Sequence, residues 1–117
     1  MATHNDLGKE GEALAVKWFI QHGYEILHTN WRHSHYEVDM IASRKNVLHF
    51  IEVKARRSKK FGYPEEGVGK KKIQNLMNAA EEFLHQFPEW KRIQFDILSI
   101  LLKKDAPEYF LIEDVSL

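Results

Sequence analysis

Charged residues interrupt two of the most apolar segments of the sequence. Asp39 lies inside the segment Val38–Ile41. Glu52 and Lys54 lie inside the segment Phe50–Ala55. Charged side chains are rarely buried unless they are paired or bind a metal ion. Two neighbouring carboxylates repel each other, and Mg²⁺, which prefers carboxylate oxygens and water, would relieve that repulsion. The pattern therefore predicts a metal site at Asp39 and Glu52.

The same residue types suit the hydrolysis of a phosphodiester. A bound metal ion polarises the phosphate and lowers the pKa of a bound water. Lys54 follows Glu52 by two residues, so both project from the same face of a strand. Its ammonium could orient the water or stabilise charge in the transition state. The chain has no cysteine, which excludes thiol catalysis and a thiolate zinc site.

Glu12 is a further candidate, because it falls inside the apolar arc of the first predicted helix and points toward other elements. We expect its carboxylate to converge with those of Asp39 and Glu52 within the reach of one ion. Each residue also has a structural interpretation, as a helix-edge carboxylate, a hydrogen-bonded strand residue or a cross-strand ion pair. Their joint occurrence favours the chemical interpretation over the structural one.

Hydrophobic periodicity predicts the elements that position these residues. The segment Val47–Arg56 carries large apolar residues on both faces, which is typical of a central strand. A short turn at 44–46 joins it to the strand that carries Asp39. The fold class is α/β, and its predicted elements are a helix from Asn5 or Asp6 to about His22, strands Tyr24–Trp31, Glu37–Ser43 and Val47–Arg56, a helix ending near Phe87, and strands Ile93–Leu102 and Tyr109–Val115.

The charge of the chain is balanced, with 17 Lys and Arg against 17 Asp and Glu, but its basic residues are unevenly distributed. A basic segment follows Glu52 and could track the phosphates of a nucleic acid. Any single lysine of such a segment is more often a solvated surface residue. Within this segment, Lys72 is the residue expected on the inward flank of the second helix. Phe61 and Tyr63 could stack on unpaired bases or simply hold the loop to the core. The basic segment consists of Arg56, Arg57, Lys59, Lys60, Lys70, Lys71 and Lys72.

Length and hydropathy set the broad class of the protein. A chain of 117 residues corresponds to one domain, here expected to span residues 1–117. No run approaches the ~18 apolar residues of a membrane helix, and residues 1–12 contain no apolar leader. A soluble, cytoplasmic protein without a membrane partner is therefore the default expectation.

Several segments together resemble a known family. They occur in order along nearly the whole chain, and the Glu-Val-Lys block with its preceding Asp is specific in this context. The chain resembles the YraN-like family of uncharacterised bacterial proteins, which is assigned to the PD-(D/E)xK, restriction-endonuclease-like fold and is similar to archaeal-type Holliday junction resolvases. The segments are Gly8–Glu12, Asn30–Arg32, Glu37–Ala42, Phe50–Arg56 and Gln94–Ile97.

The resemblance implies a role for each candidate residue. Asp39 and Glu52 would bind Mg²⁺ or Mn²⁺, with the backbone carbonyl of Val53 as a further ligand. Lys54 would be the catalytic lysine, and Glu12 the additional acid of resolvase-like members. Val38 stands where the name of the motif has proline, which the chemistry does not require.

The implied fold is a restriction-endonuclease-like α-β-β-β-α-β-β sandwich with a central mixed sheet. The implied function is Mg²⁺-dependent hydrolysis of DNA phosphodiesters, with branched DNA as a candidate substrate and a homodimer as the working unit. Two alternatives stay open. One is a non-catalytic nucleic-acid-binding module on the same fold, and the other is an interaction protein with a vestigial site.

Overall fold

The computed structural model describes residues 4–57 and 69–116, and this part of the chain forms two helices and five strands in the predicted order. The central strand has the predicted span, and the other boundaries lie close to those predicted. The predicted contacts of Lys59, Lys60, Phe61 and Tyr63 lie outside the described residues. The elements are α1 (His4–Gln21), β1 (Glu25–His33), β2 (Tyr36–Arg44), β3 (Val47–Arg56), α2 (Lys70–Gln86), β4 (Ile93–Leu101) and β5 (Glu108–Ile112).

The five strands form one mixed sheet in the order β1-β2-β3-β4-β5. The pairs β1–β2, β2–β3 and β4–β5 are antiparallel, whereas β3 and β4 are parallel. A parallel pair needs a crossover connection, and α2 lies in the one that joins β3 to β4. β3 is the central strand of this order, as the sequence predicts, and β1 and β5 are the edge strands.

The two helices cover opposite faces of the sheet. Ala15 and Phe19 of α1 pack in a core cluster with Ile51 of β3. Phe83 of α2 packs in a second cluster with Phe50, the residue next to Ile51. Because successive strand residues point to opposite faces, these clusters define an α1 side and an α2 side. Neither described helix has the length and hydropathy needed to cross a membrane.

A tight turn between β2 and β3 fixes the register on which the acids depend. Lys45 and Asn46 both have positive φ, at 52° and 64°, as a two-residue type I′ hairpin turn requires. The flanking pair is Arg44 with Val47, and pairing continues to Met40 with Ile51. The next two residues along the strands are Asp39 and Glu52, so the turn places both acids at the same level of the sheet.

Gly11 allows α1 to lie very close to β3. A Cβ atom at this position would lie 2.6 Å from the Cβ of Ala55, nearer than side-chain carbons approach in proteins. The next residue on the helix is Glu12, so the close approach also sets the height of that carboxylate above the sheet.

We predict that Gly11→Ala destabilises the protein by about 1–3 kcal/mol, because the added methyl group meets Ala55 and forces the helix outward. This loss would outweigh the gain of about 1 kcal/mol in helix propensity. The measurement is urea unfolding, and the matched control is Gly8→Ala, whose Cβ would meet no atom within 4 Å. Adding Ala55→Gly should restore part of the loss. Equal effects of Gly11→Ala and Gly8→Ala would contradict the close approach.

Candidate active site

β2 and β3 separate where the two candidate acids lie. Pairing between these strands ends at Met40 and Ile51, while β3 continues along β4 as far as Arg56. The backbone N–H of Val53 donates a hydrogen bond to Oδ2 of Asp39, at 2.8 Å. The Asp39 side chain of β2 thus accepts the hydrogen bond that a backbone carbonyl of β2 would accept in a continuous ladder. Asp39 and Glu52 stand at the opening of this fork.

The regular alternation of β2 also breaks at Asp39. Strict alternation would put Val38 and Met40 on one face, but Val38 packs in the α2-side cluster and Met40 in the α1-side cluster. On β1, Asn30 lies between the residues that pair with Met40 and Val38, and its φ is 51°. This local distortion places Asp39 at the edge of both faces.

The acid pair is electrostatically strained. The pKa of Asp39 is raised to about 7, first by burial and then by the neighbouring charges of Glu52 and Glu37, while the Val53 N–H and the Lys72 ammonium act in the opposite direction. Lys72 Nζ lies 3.3 Å from Oε1 of Glu52. The Lys72 ammonium of α2 therefore offsets part of the negative charge of the acid pair. Because the pKa of Asp39 is nevertheless raised to about 7, Asp39 keeps a proton up to near-neutral pH.

Glu12 enters the same cleft from α1, as its position in the apolar arc predicts. Asn30 Nδ2 donates a hydrogen bond to its Oε1, at 2.5 Å. Within residues 4–57 and 69–116, no three Asp, Glu, His or Cys side chains lie close enough together to hold a metal ion. The expected convergence of three carboxylates on one ion is therefore not found, and Glu12 is tied to β1 instead.

The remaining donor set fits Mg²⁺. Asp39 and Glu52 offer carboxylate oxygens, and Val53 lines the same cleft, where its backbone carbonyl could add a ligand. Mg²⁺ takes few protein ligands and keeps several waters, so two carboxylates suffice. The high pKa of Asp39 identifies a site where a cation would be stabilising, because the cation would relieve the repulsion that keeps the proton bound.

The cleft around these residues has a volume of about 600 Å³. Lys54 lines it and, among the described residues, its ammonium has no hydrogen-bond or ion-pair partner. Four polar residues without a predicted role also line the cleft. The sequence gives a weak indication for Asn30, since Asn is one of the residue types that adopt a positive φ where a strand is distorted. The other three lie in the segments that carry the family resemblance, but no role was predicted for them individually: they are Lys9, Arg32 and Glu37.

The described part of the basic segment is divided between the surface and the interior. Lys70 and Lys71 are exposed in the first turn of α2, and Lys72 turns toward the cleft as predicted. Arg57 is exposed and forms an ion pair with Glu10, at 3.5 Å.

Arg56 differs from the prediction. It is only 9% exposed, so its guanidinium does not lie on the open surface where a phosphate track would need it. Arg56 is the last residue of β3 and pairs with Leu101 of β4. Pairing with β4 thus extends to the last residue of β3, and the exposed residues of the basic segment begin at Arg57.

A second buried acid has a structural role. Asp96 is fully buried, and its Oδ2 lies 2.6 Å from Nδ1 of His49. Its Oδ1 accepts hydrogen bonds from Nε2 of Gln94 and from the backbone N–H of Asp114. Both carboxylate oxygens of Asp96 are therefore engaged within the fold.

Comparisons with known proteins identify close relatives. Residues 11–100 match the family described as "Uncharacterised protein family UPF0102". A UPF0102 protein of Bacteroides thetaiotaomicron is 42% identical over 101 residues, which cover 86% of this chain and 84% of the relative. One of Parabacteroides distasonis is 38% identical over 115 residues, covering 98% and 93%. One of Flavobacterium psychrophilum is 44% identical over 100 residues, covering 86% and 84%. The predicted relation to the YraN-like family is thereby confirmed.

We predict that Asp39 makes the protein less stable as the pH rises from about 4 to 7. Its pKa lies near 3.8 in an unfolded chain and near 7 in the fold, so in this window the folded state holds a proton that the unfolded chain has lost. Stability is full below the lower pKa and declines toward the higher one, at about 1.4 kcal/mol per pH unit. Asp39→Asn, which keeps an oxygen for the Val53 N–H, should remove this decline.

The measurement is the free energy of unfolding of both proteins across that pH window, without divalent ions. Glu81→Gln is the control, because this carboxylate is exposed on α2 and should leave the pH profile unchanged. A difference between wild type and Asp39→Asn that stays constant from pH 4 to 7 would show that the acid pair is not strained.

Proposed function

The chain belongs to the uncharacterised protein family UPF0102, and we propose that it is a Mg²⁺-dependent endonuclease of the PD-(D/E)xK type that hydrolyses DNA phosphodiesters. The observation that carries the proposal is the acid pair, in which burial and the neighbouring Glu52 raise the pKa of Asp39 to about 7 inside a cleft lined by lysines. Perturbed carboxylates in a cleft are characteristic of functional sites.

Each residue of the cleft has a role in the proposed reaction. Asp39 and Glu52 would hold Mg²⁺ together with the carbonyl of Val53. The ion supplies a polarised phosphate and a water of lowered pKa. Lys54 extends from the same face of β3 as Glu52, where its ammonium can orient the water or neutralise charge that develops on the phosphate. Glu12, fixed by Asn30, can accept a hydrogen bond from that water.

Basic groups around the cleft support a nucleic-acid substrate. Three exposed basic residues from different elements line it, Lys9 of α1, Arg32 of β1 and Lys72 of α2. The first turn of α2 carries three lysines and no acidic residue. Lysines there oppose the helix dipole, at a cost of about 0.3–1 kcal/mol each, unless they face an anion. A phosphate backbone is the anion that this arrangement would accommodate.

The order of the elements is in keeping with a restriction-endonuclease-like sandwich. In the proposed assignment, the two acids come from neighbouring strands β2 and β3, and the lysine follows on β3. The choice of DNA over RNA follows from the resemblance to resolvases. A branched substrate has two strands to cut and would need two such sites, so the proposal includes a homodimer for that substrate.

A specific observation favours a second candidate function, a non-catalytic nucleic-acid-binding module. The ion pair between Lys72 and Glu52 neutralises one acid without any metal ion. A cleft stabilised in this way could bind a phosphate backbone through its basic residues alone. It would show salt-sensitive binding and no cleavage with any divalent ion.

We predict that the purified protein cleaves at least one member of a panel of linear, flapped and four-way-branched DNA in the presence of Mg²⁺ or Mn²⁺. Asp39→Asn and Glu52→Gln should each lower the rate at least about hundredfold while leaving DNA binding intact, because each removes a charge needed to hold the ion. Lys54→Met should lower the rate by a similar factor.

The control for this experiment is Lys103→Met, which removes a cation that pairs with Glu108, outside the cleft. Cleavage that persists when Asp39 and Glu52 are both replaced would reject the assignment of the acids. Salt-sensitive binding without cleavage of any substrate would establish the binding module instead.

We further predict that Lys72→Met increases the affinity for Mn²⁺ several-fold, because it removes the cation that competes for Glu52. The same variant should lower the melting temperature without metal, since Glu52 then faces Asp39 without a neutralising partner. The measurements are calorimetric Mn²⁺ titration and thermal unfolding. Lys71→Met is the matched control, because this neighbouring lysine is exposed and, among the described residues, pairs with no acid. Equal Mn²⁺ affinities for the two variants would contradict the role of Lys72.

A further inference from the structure

The cleft has a second lobe beside the acid pair, with a volume of about 310 Å³. Its lining differs in chemistry from that of the main lobe. Both lobes include Glu37, Asp39, Glu52 and Lys72. The main lobe adds the cations Lys9, Arg32 and Lys54, together with Glu12 and its hydrogen-bond partner Asn30. The second lobe instead adds an imidazole, a phenol, a carboxamide and an aliphatic side chain, from His35, Tyr36, Asn75 and Leu76.

The walls of the second lobe are held by the core. Tyr36 is half-buried and packs against the α2-side cluster, to which the buried Leu76 belongs. The ring of His35 lies 4.2 Å from that of Tyr36, centroid to centroid. The lobe therefore combines the aromatic ring of Tyr36, at the start of β2, with the aliphatic side chain of Leu76, near the start of α2.

Asn75 supplies the polar part of this wall. It is exposed on α2, and within the described residues its carboxamide has no hydrogen-bond partner. A carboxamide offers both donors and an acceptor, as the edge of a nucleobase does. Aromatic stacking combined with such hydrogen bonds is the way in which proteins bind unpaired bases.

We propose that the second lobe is a nucleobase subsite, which takes one unpaired base next to the phosphate at the acid pair. The proposal rests on the proposed function and names its substrate class: DNA that is single-stranded or unpaired at the cleaved position. Tyr36 precedes Asp39 by three residues on β2, or about 10 Å at the rise of a strand. The lobe is near the lower limit of about 300 Å³ for ligand pockets, so it suits one base rather than a base pair.

The difference between the two lobes matches the difference between the two parts of a nucleotide. The main lobe, which carries three cations that the second lobe lacks, would contact the sugar-phosphate backbone, and the second lobe would contact the base. A base within a duplex is stacked and paired, so it could enter the lobe only after leaving the helix. Discrimination between paired and unpaired substrates would then come from the lobe and not from the acid pair.

The test compares the binding of the full chain to three probes without divalent ions, so that no cleavage occurs. The probes are a single-stranded oligodeoxynucleotide, an abasic sugar-phosphate oligomer of the same length, and a blunt duplex. Tyr36→Leu keeps an apolar side chain against the core but removes the ring. It should weaken binding of the oligodeoxynucleotide about tenfold and leave the abasic oligomer and the duplex unchanged. Tyr36→Phe should bind all three probes like wild type.

Two further variants keep the test decisive. Asn75→Ala, on the exposed surface of α2, should reproduce the base-dependent loss in a weaker form without affecting folding. Arg32→Gln, in the main lobe, should weaken binding of the oligodeoxynucleotide and the abasic oligomer by the same factor, because it removes a phosphate contact.

The outcomes separate the subsite from the proposed function. An equal loss for the oligodeoxynucleotide and the abasic oligomer in Tyr36→Leu, or no loss for either, would overturn the nucleobase subsite while wild-type binding and cleavage stand. A wild-type protein that binds none of the three probes would overturn the proposed function and the subsite with it.

Discussion

Two carboxylates held next to each other at the edge of the core are the constraint on which the rest of the site depends. Asp39 and Glu52 occupy the same level of two neighbouring strands, and burial and their mutual repulsion raise the pKa of Asp39 to about 7. Such an arrangement is unfavourable unless something else compensates. The Val53 N–H and the Lys72 ammonium are the compensations that the protein itself provides. Both act on the pair from different elements, so the pair ties β2, β3 and α2 together.

The fork between β2 and β3 explains how one cleft receives side chains from both layers of helix. β3 is paired with β4 from Leu48 to Arg56, whereas β2 pairs with β3 only between Arg44 and Met40 and stays with β1 beyond that point. The gap opens between two inner strands of the sheet, beyond the pair Met40 and Ile51. α1 reaches the gap through Glu12, because Gly11 lets the helix approach β3 closely. α2 reaches it from the other face through Lys72.

The sequence predicts the elements well because local patterns determine them, and it predicts the site in part. The span of β3 follows from apolar residues on both of its faces, and the short turn after Arg44 brings Asp39 and Glu52 to one level. The hydrogen bond between Glu12 and Asn30 could not be predicted, since it depends on a distortion of β1 that the hydrophobic periodicity of the sequence does not reveal. The burial of Arg56 likewise depends on how far β4 accompanies β3, which is a tertiary property.

The two buried acids of the sheet show how a structural carboxylate differs from a functional one. Asp96 is fully buried, yet each of its oxygens has a partner: His49 on one side, and Gln94 and the N–H of Asp114 on the other. Its hydrogen-bonding capacity is used within the fold, so nothing is left for a ligand. Asp39 has one backbone N–H and faces a second carboxylate across an open cleft. Because an unpaired buried charge is costly, a site with this deficit is stabilised by whatever cation enters it. The comparison of Asp96 with Asp39 indicates that the shortage of hydrogen-bond and ion-pair partners at Asp39 is local to the cleft. It is not a general feature of how this fold buries acids.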